Sequence, residues 1–388
     1  MKKVLSLFFI LIVGITLFFS VLPKEVAKRR NPVFITPPYD VSNDAKSAHE
    51  SLFISDLHAD SLLWDRDLLL YGTSGHVDVP RLINGNVGLQ TFTVVTKVPI
   101  GHNIDNTASN GLDMITLLAV AQLWPMCTWV SLMERALYQA EKLHAFSSKS
   151  NGRLILIETA RDLRRYIDLR KHNKDTVAGL LGIEGAHSLE GKLQNIDKLY
   201  DAGFRVIGLI HFFDNEIGGS AHGEQKGGLT KFGMEVIKRA EELGIIIDLA
   251  HASSELIDDV LKISTKPVIV SHTGLRGTCN NQRNLTDEQI HSIANSGGVI
   301  GIGYWQTAVC GSDVEAIVKA IQYTASLVGV EHVALGSDFD GAVKAIFDTT
   351  GISEITESLQ GKGFSEEDIQ KIMGLNVVNV LLDTLPPD

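Results

Sequence analysis

Eight short apolar runs recur along this chain, and six of them end in a side chain that can ionise or bind a metal. The runs are Leu52–His58, Val87–Val95, Val177–Glu184, Phe204–His211, Gly244–His251, Pro267–His272, Gly298–Gly303 and Val333–Asp338. Most are continuous rather than alternating, the pattern of parallel strands covered on both faces. Helical spacing fills several gaps. Leu229–Leu243 sets Ile237 and Ala240 inward and Lys238, Glu241 and Glu242 outward, Asp313–Leu327 is a second such stretch, and Thr286 with Gln289 fits a capping box. Eight strands alternating with helices predict a (β/α)8 TIM-type barrel, whose active site lies at the carboxyl ends of the strands. A doubly wound open sheet is the alternative. The polar strand ends favour the barrel, where they converge on one rim instead of spreading along an edge. Thr96–Thr176 is too long for one crossover and reads as an inserted helical excursion, centred on Gly111–Phe146 within about residues 100–150.

The barrel is expected over residues 46–388, after an amino-terminal segment (1–30) and a Pro-rich linker (31–45). Lys2 and Lys3 precede the apolar run Val4–Leu22, in which fifteen residues are Val, Leu, Ile or Phe. A secretory signal has an apolar segment of about 7–15 residues and a small-residue cleavage site. This run is longer, and Phe18 and Phe19 stand where small residues belong, so it reads as a transmembrane anchor, with a cleaved signal as the alternative. The catalytic body is expected outside the cytoplasm, or secreted if the segment is cleaved. Because no catalytic candidate precedes Asp56, removing residues 1–30 is expected to leave fold and activity intact. Residues 1–30 hold six basic side chains and one acidic one, so a net charge of −11 for the whole chain leaves the body near −16. So acidic a body, without a basic block, argues against a nucleic-acid surface. Three cysteines exclude a disulfide framework and leave the compartment undecided.

Asp56-Leu57-His58-Ala59-Asp60 closes the first run, and strand alternation puts His58 and Asp60 on one side, within reach of one ion. Glu184 stands at a strand end among glycines, where a carboxylate is costly unless paired or metal-bound. His251 and His272 each end an apolar run. Any one of these imidazoles could be a hydrogen-bonded core residue. Three His, one Asp and one Glu on separate strands point instead to a divalent metal, and the absence of thiolates suits catalytic Zn²⁺. Five ligating groups exceed what one catalytic zinc takes, so two ions sharing a carboxylate are expected, about 3.5–4 Å apart. Such a pair activates a bridging water for hydrolysis of an acyl bond. The most suspicious further carboxylate lies in Gly336-Ser337-Asp338-Phe339-Asp340-Gly341, where the residues alone do not choose between Asp338 and Asp340.

These segments resemble the membrane dipeptidase (renal dipeptidase) family of zinc peptidases, amidohydrolase-like barrels, from about Leu52 to Leu382. The likeness rests on DLHAD at 56–60, GIEGAHS at 182–188, IHFFDN at 210–215, DLAHAS at 248–253, SHTGLRGTCNNQRNLTDEQ at 271–289 and LGSDFDG at 335–341. It implies His58 and Asp60 on one zinc, Glu184 bridging, and His251 and His272 on the second. It further implies that His211 polarises the substrate carbonyl, Arg283 grips the substrate carboxylate, and Asp338 moves the proton from water to the leaving amine. Asp56 and His187 are expected to orient the ligands. A dipeptide is the implied substrate. The alternatives are another small amide, such as an N-acyl amino acid or a β-lactam, and a membrane-tethered binding protein without turnover. Attachment is expected at the amino terminus, since Leu375–Leu385 before Pro386-Pro387-Asp388 is too short and broken for a lipid-anchor signal. A homodimer is compatible with all of this.

Overall fold

The computed structural model describes residues 21–388 together with Gly14 and Phe19. All but four residues of the apolar run Val4–Leu22 therefore lie outside the described residues, and among the described residues no helix is long and apolar enough to cross a membrane.

Nine parallel strands form one sheet: β1 (Ile54–Ala59), β2 (Val87–Val95), β3 (Leu154–Leu156), β4 (Val177–Glu184), β5 (Phe204–Gly208), β6 (Ile246–Asp248), β7 (Ile269–Thr273), β8 (Val299–Ile302) and β9 (Val333–Leu335). β2 pairs with both β1 and β4, and β9 pairs with β1, so eight strands close into a barrel. β3 stands outside that ring and pairs only with the first residues of β4, Val177–Gly179. All eight expected runs are strands of the ring. Several stop short of their polar residue: β5 ends three residues before His211, β6 three before His251, and β9 three before Asp338. The polar residues that end those runs thus ride on the loops that leave the strands, where this architecture builds its sites.

Each barrel strand gives a buried apolar side chain to one inner cluster: Leu57, Leu89, Leu180, Val206, Ile246, Ile269, Val299 and Ala334. Val377, Val380 and Leu381 of the helix Asn376–Thr384 join the cluster and plug it from below. Gly244, just before β6, shows how tightly this end closes. Its φ of +70° suits glycine, and a Cβ there would lie 2.9 Å from Pro386. The expected helices appear at Lys231–Leu243, capped by Thr230, and at Val314–Val328, capped by Asp313. Thr286 and Gln289 form the reciprocal capping box of the helix Asp287–Asn295.

The excursion comprises the helix Met114–Ala121, a short turn at Met126–Trp129 and the long helix Leu132–Lys149. Arg135 fastens it by donating to Asp113, to Thr96 O and to Thr128 O. A separate apolar cluster forms beneath it from Leu63, Trp64, Val95, Val98, Ile115, Ala119 and Trp124, together with Ala27. Ala27 belongs to the helix Leu22–Arg30, which docks on Met114–Ala121. The following segment is tied down as well: Phe34 N and Ile35 N donate to Ala345 O and Ile346 O, and Ala345 N donates to Pro32 O.

Candidate metal centre

Glu184 ends β4 at the middle of the rim, fully enclosed. Its Oε1 lies 3.0 Å from His251 Nε2, 3.4 Å from His272 Nε2 and 3.7 Å from His58 Nε2, while Oε2 lies 3.1 Å from His211 Nε2. Asp60 Oδ1 and Asp338 Oδ1 approach His58 Nε2 at 3.5 and 4.0 Å. His58, Asp60, His251 and His272, from β1, β7 and the loops leaving β1 and β6, therefore meet around the Glu184 carboxylate, with Asp338 and His211 at its flanks. Gly185 makes room for the turn out of β4: its φ is +96°, and a Cβ would lie 2.2 Å from His187 Cε1.

This donor set fits a divalent metal on its own chemistry. His58 Nε2 is buried and, among the described residues, makes no hydrogen bond, although three carboxylates surround it. His251 Nε2 and His272 Nε2 face each other at 3.0 Å, both toward Glu184 Oε1. The protonation balance carries the same message. Burial would lower His58, but Asp60, Glu184 and Asp338 outweigh it and hold the imidazolium up to about 10. Burial raises Glu184 well above the carboxylate range, with Asp60 adding to it. Burial likewise pushes Asp338 up to about 8, opposed by His58. Carboxylates so crowded call for positive charge.

Outer partners set the tautomers. His222 Nδ1 lies 3.1 Å from Ile104 O, a pure acceptor, so this nitrogen carries the proton and donates. His222 Nε2 then accepts from His251 Nδ1–H at 3.0 Å, which leaves the His251 Nε2 lone pair free for a metal. Ser271 Oγ sits between His58 Nδ1 (3.1 Å) and His272 Nδ1 (2.9 Å), so one hydroxyl steadies two candidate ligands. Thr93 Oγ1 donates to Asp60 Oδ1 at 2.6 Å. None of these three was singled out from sequence. Ser271 had a signal, since it directly precedes His272 in β7, and Thr93 faces β1 from β2. His222 had none, lying in a glycine-rich loop with no periodicity.

The remaining candidates divide. Arg283 is buried beside the cluster, donating to His272 O (2.7 Å) and Thr273 Oγ1 (3.2 Å), while its Nε has no hydrogen-bond partner among the described residues. Burial brings its guanidinium down to about 10, countered by Asp338 and Glu184. Asp338 and Asp340 are now separable. Asp340 accepts from Arg66, Ser61 Oγ (2.6 Å) and His76 N (2.7 Å), and despite its burial Arg66 and His76 hold its pKa low. Asp338 faces His58 and the cavity instead. Asp56 accepts from the backbone N of His58 (3.1 Å) and from both N and Oγ of Ser337 (3.0 Å each), so it locks β1 to the loop carrying Asp338. His187 is held by Thr96 Oγ1 at 3.0 Å and stacks near Phe213. His251 and Asp338 both adopt left-handed backbone, φ 64° and 58°. Such positions cost about 1–3 kcal/mol and cluster where function imposes them.

Above the cluster opens a cavity of about 800 Å³. Glu184, His211, Arg283 and Asp338 form its floor, and Leu63, Trp64, Val98, Ile115, Leu118 and Phe212 line its walls. Leu22, Val26 and Arg30 close one side. Trp124 and Trp129 do not reach it: Trp124 packs on Tyr138, and Trp129 Nε1 donates to Trp124 O.

A model of the family described as membrane dipeptidase, peptidase family M19, matches residues 40–384. Dipeptidase tcpJ of Claviceps purpurea is 27% identical over 317 residues, spanning 79% of this chain and 69% of that protein. Dipeptidase aclJ of Aspergillus oryzae is 25% identical over 351 residues, spanning 85% and 78%. The fold matches a metallopeptidase of Rhodobacter sphaeroides, solved with a phosphinate mimic of the dipeptide L-Ala-D-Ala. The TM-score is 0.72 at 23% identity, covering 86% of this chain and 99% of that one.

Proposed function

Since the chain belongs to the membrane dipeptidase family and is a metal-dependent dipeptidase, we propose that it works with two zinc ions bridged by Glu184. His58 and Asp60 would hold one, and His251 and His272 the other. The observation that carries this is the meeting of all four on Glu184, within 3.0–3.7 Å for the three imidazoles. When bound, the ions supply an activated water and polarise the scissile carbonyl.

The chain's own groups do the rest. Arg283, with its unpartnered Nε, clamps the free carboxylate of the dipeptide. His211 is kept neutral by burial, so it offers an N–H rather than a cation to the carbonyl oxygen. Asp338, with a pKa raised by burial, takes the proton of the attacking water and returns it to the departing amine. The apolar walls exclude water and favour substrates with apolar side chains. Attachment through the apolar run Val4–Leu22, with the body outside the cytoplasm, completes the proposal. The disulfide Cys279–Cys310 supports this location, because such bonds persist in oxidising compartments.

The test is Glu184→Gln. One carboxylate serves both ions, so metal analysis should find both sites weakened and turnover on a dipeptide library abolished. Two tightly held zinc ions in that variant would refute the bridging assignment.

A further inference from the structure

The excursion forms one rim of the cavity, which Ile100 and Leu117 line, and carries large apolar side chains that nothing covers among the described residues. Ile100, Leu112, Leu117, Leu123, Met126 and Val130 are between 48 and 88% exposed. They fall within one compact stretch: Ile100 N bonds Leu112 O, and Trp124 N bonds Ala119 O. Soluble monomers rarely display so dense an apolar group, and where one occurs it marks a contact surface. The helix Leu22–Arg30 packs on the same stretch by Ala27 and presents Lys24, Lys28, Arg29 and Arg30 to solvent. It is also the direct continuation of the apolar run Val4–Leu22.

We propose that this rim rests on an anionic lipid bilayer, so that the mouth of the cavity opens at the membrane surface. The inference rests on the reading of Val4–Leu22 as an anchor. An anchor leaving the bilayer at Leu22 delivers the chain to the cavity wall, which brings the apolar rim to the interface with no further linker. Apolar side chains dipping below a collar of lysine and arginine are the pattern of interfacial membrane binding. The charge argues for lipid over a second copy of this chain. A symmetric dimer through this face would set two basic collars against each other, whereas anionic headgroups complement them on an otherwise acidic body.

Cys127 lies inside the rim, exposed and unpaired, while the other two cysteines are bonded to each other. It can therefore carry a single thiol-reactive fluorophore. The full chain is labelled there and reconstituted into vesicles of equal parts phosphatidylcholine and phosphatidylglycerol containing nitroxide-bearing lipid. The expected result is loss of most of the Cys127 signal. Little loss is expected in a Cys127→Ser/Lys174→Cys protein, labelled at the opposite end of the barrel. Met126→Glu with Val130→Glu should restore the Cys127 signal while the chain still floats with the vesicles. A chain that floats but shows equal quenching at both positions overturns the proposal and leaves the anchor standing. A chain that does not float overturns both. Energy transfer between Cys127 labels without lipid quenching would assign the rim to a second copy.

Discussion

Asp338→Asn separates chemistry from architecture. Asn keeps the side-chain volume and tolerates the left-handed backbone at φ 58°, so the turn and the bond from Gly341 N to Asp338 O (3.1 Å) should survive. The carboxylate itself makes no structural hydrogen bond comparable to those of Asp340. It sits buried at 4.0 Å from His58 Nε2, with a raised pKa caused first by burial. A carboxyl whose folded pKa exceeds its unfolded one costs stability at pH values above the unfolded pKa, so the amide should leave the melting temperature at pH 7 unchanged or higher. Catalysis should respond differently. Positioned acid–base assistance contributes typically about 10²–10⁴-fold, or roughly 3–5 kcal/mol of barrier. The expected outcome in stopped-time dipeptide assays is kcat down at least about a hundredfold, with KM and bound zinc nearly unchanged. A kcat within about tenfold of wild type at full zinc content would refute the proton-transfer role. A lost fold would instead show Asp338 to be a turn residue.

Three further outcomes are expected. Arg283→Leu should raise KM for dipeptides far more than for neutral amides, because it removes the clamp on the free carboxylate; parallel changes in steady-state assays would reject that role. His222→Ala frees the Nδ1 proton of His251, and loss of such a partner typically costs about 10–100-fold in metal affinity, readable by chelator competition. His49 is buried against Thr356 Oγ1 and Gly85 O, and burial lowers its pKa from 6.5 to about 4. The unfolded chain therefore binds the proton more readily. Stability should be fully present above pH 6.5 and fall as pH drops toward 4, by up to roughly 3 kcal/mol from this group. His49→Gln should flatten that limb of the melting curve without touching metal content.

The barrel was legible because each strand is a continuous apolar run with a polar terminus, and burial on both faces leaves that mark in the residues themselves. The candidate ligands stand out for the same reason: a charged group ending an apolar run is expensive, and the fold brings these side chains together. What the sequence hid falls into two kinds. β3 has three residues and pairs with only part of β4, too little chain to show a period. His222 acts on His251 across 29 positions, through a loop whose path depends on contacts made elsewhere. Asp338 and Asp340 share one motif and one spacing, and only Arg66, Ser61 and His76, brought in by tertiary packing, tell them apart.

The amino-terminal segment needs a different treatment from the one composition suggests. No metal candidate precedes Asp56, which made residues 1–30 look removable. Yet Leu22, Val26 and Arg30 wall the cavity, and Ala27 belongs to the apolar cluster roofing it. Asn31 continues the connection, since its Oδ1 accepts from Ala342 N, four residues past Asp338. Deleting residues 1–30 would therefore open one side of the cavity and expose Ile115, Leu118 and Ala119 to water. Among the described residues, the candidate metal ligands make no hydrogen bond to that segment, so their cluster should still form. A truncated protein is thus expected to bind zinc normally while its KM for dipeptides with large apolar side chains rises more than its KM for small ones. Equal kinetics on both substrates would show that Leu22–Arg30 merely covers the cavity and takes no part in choosing what enters it.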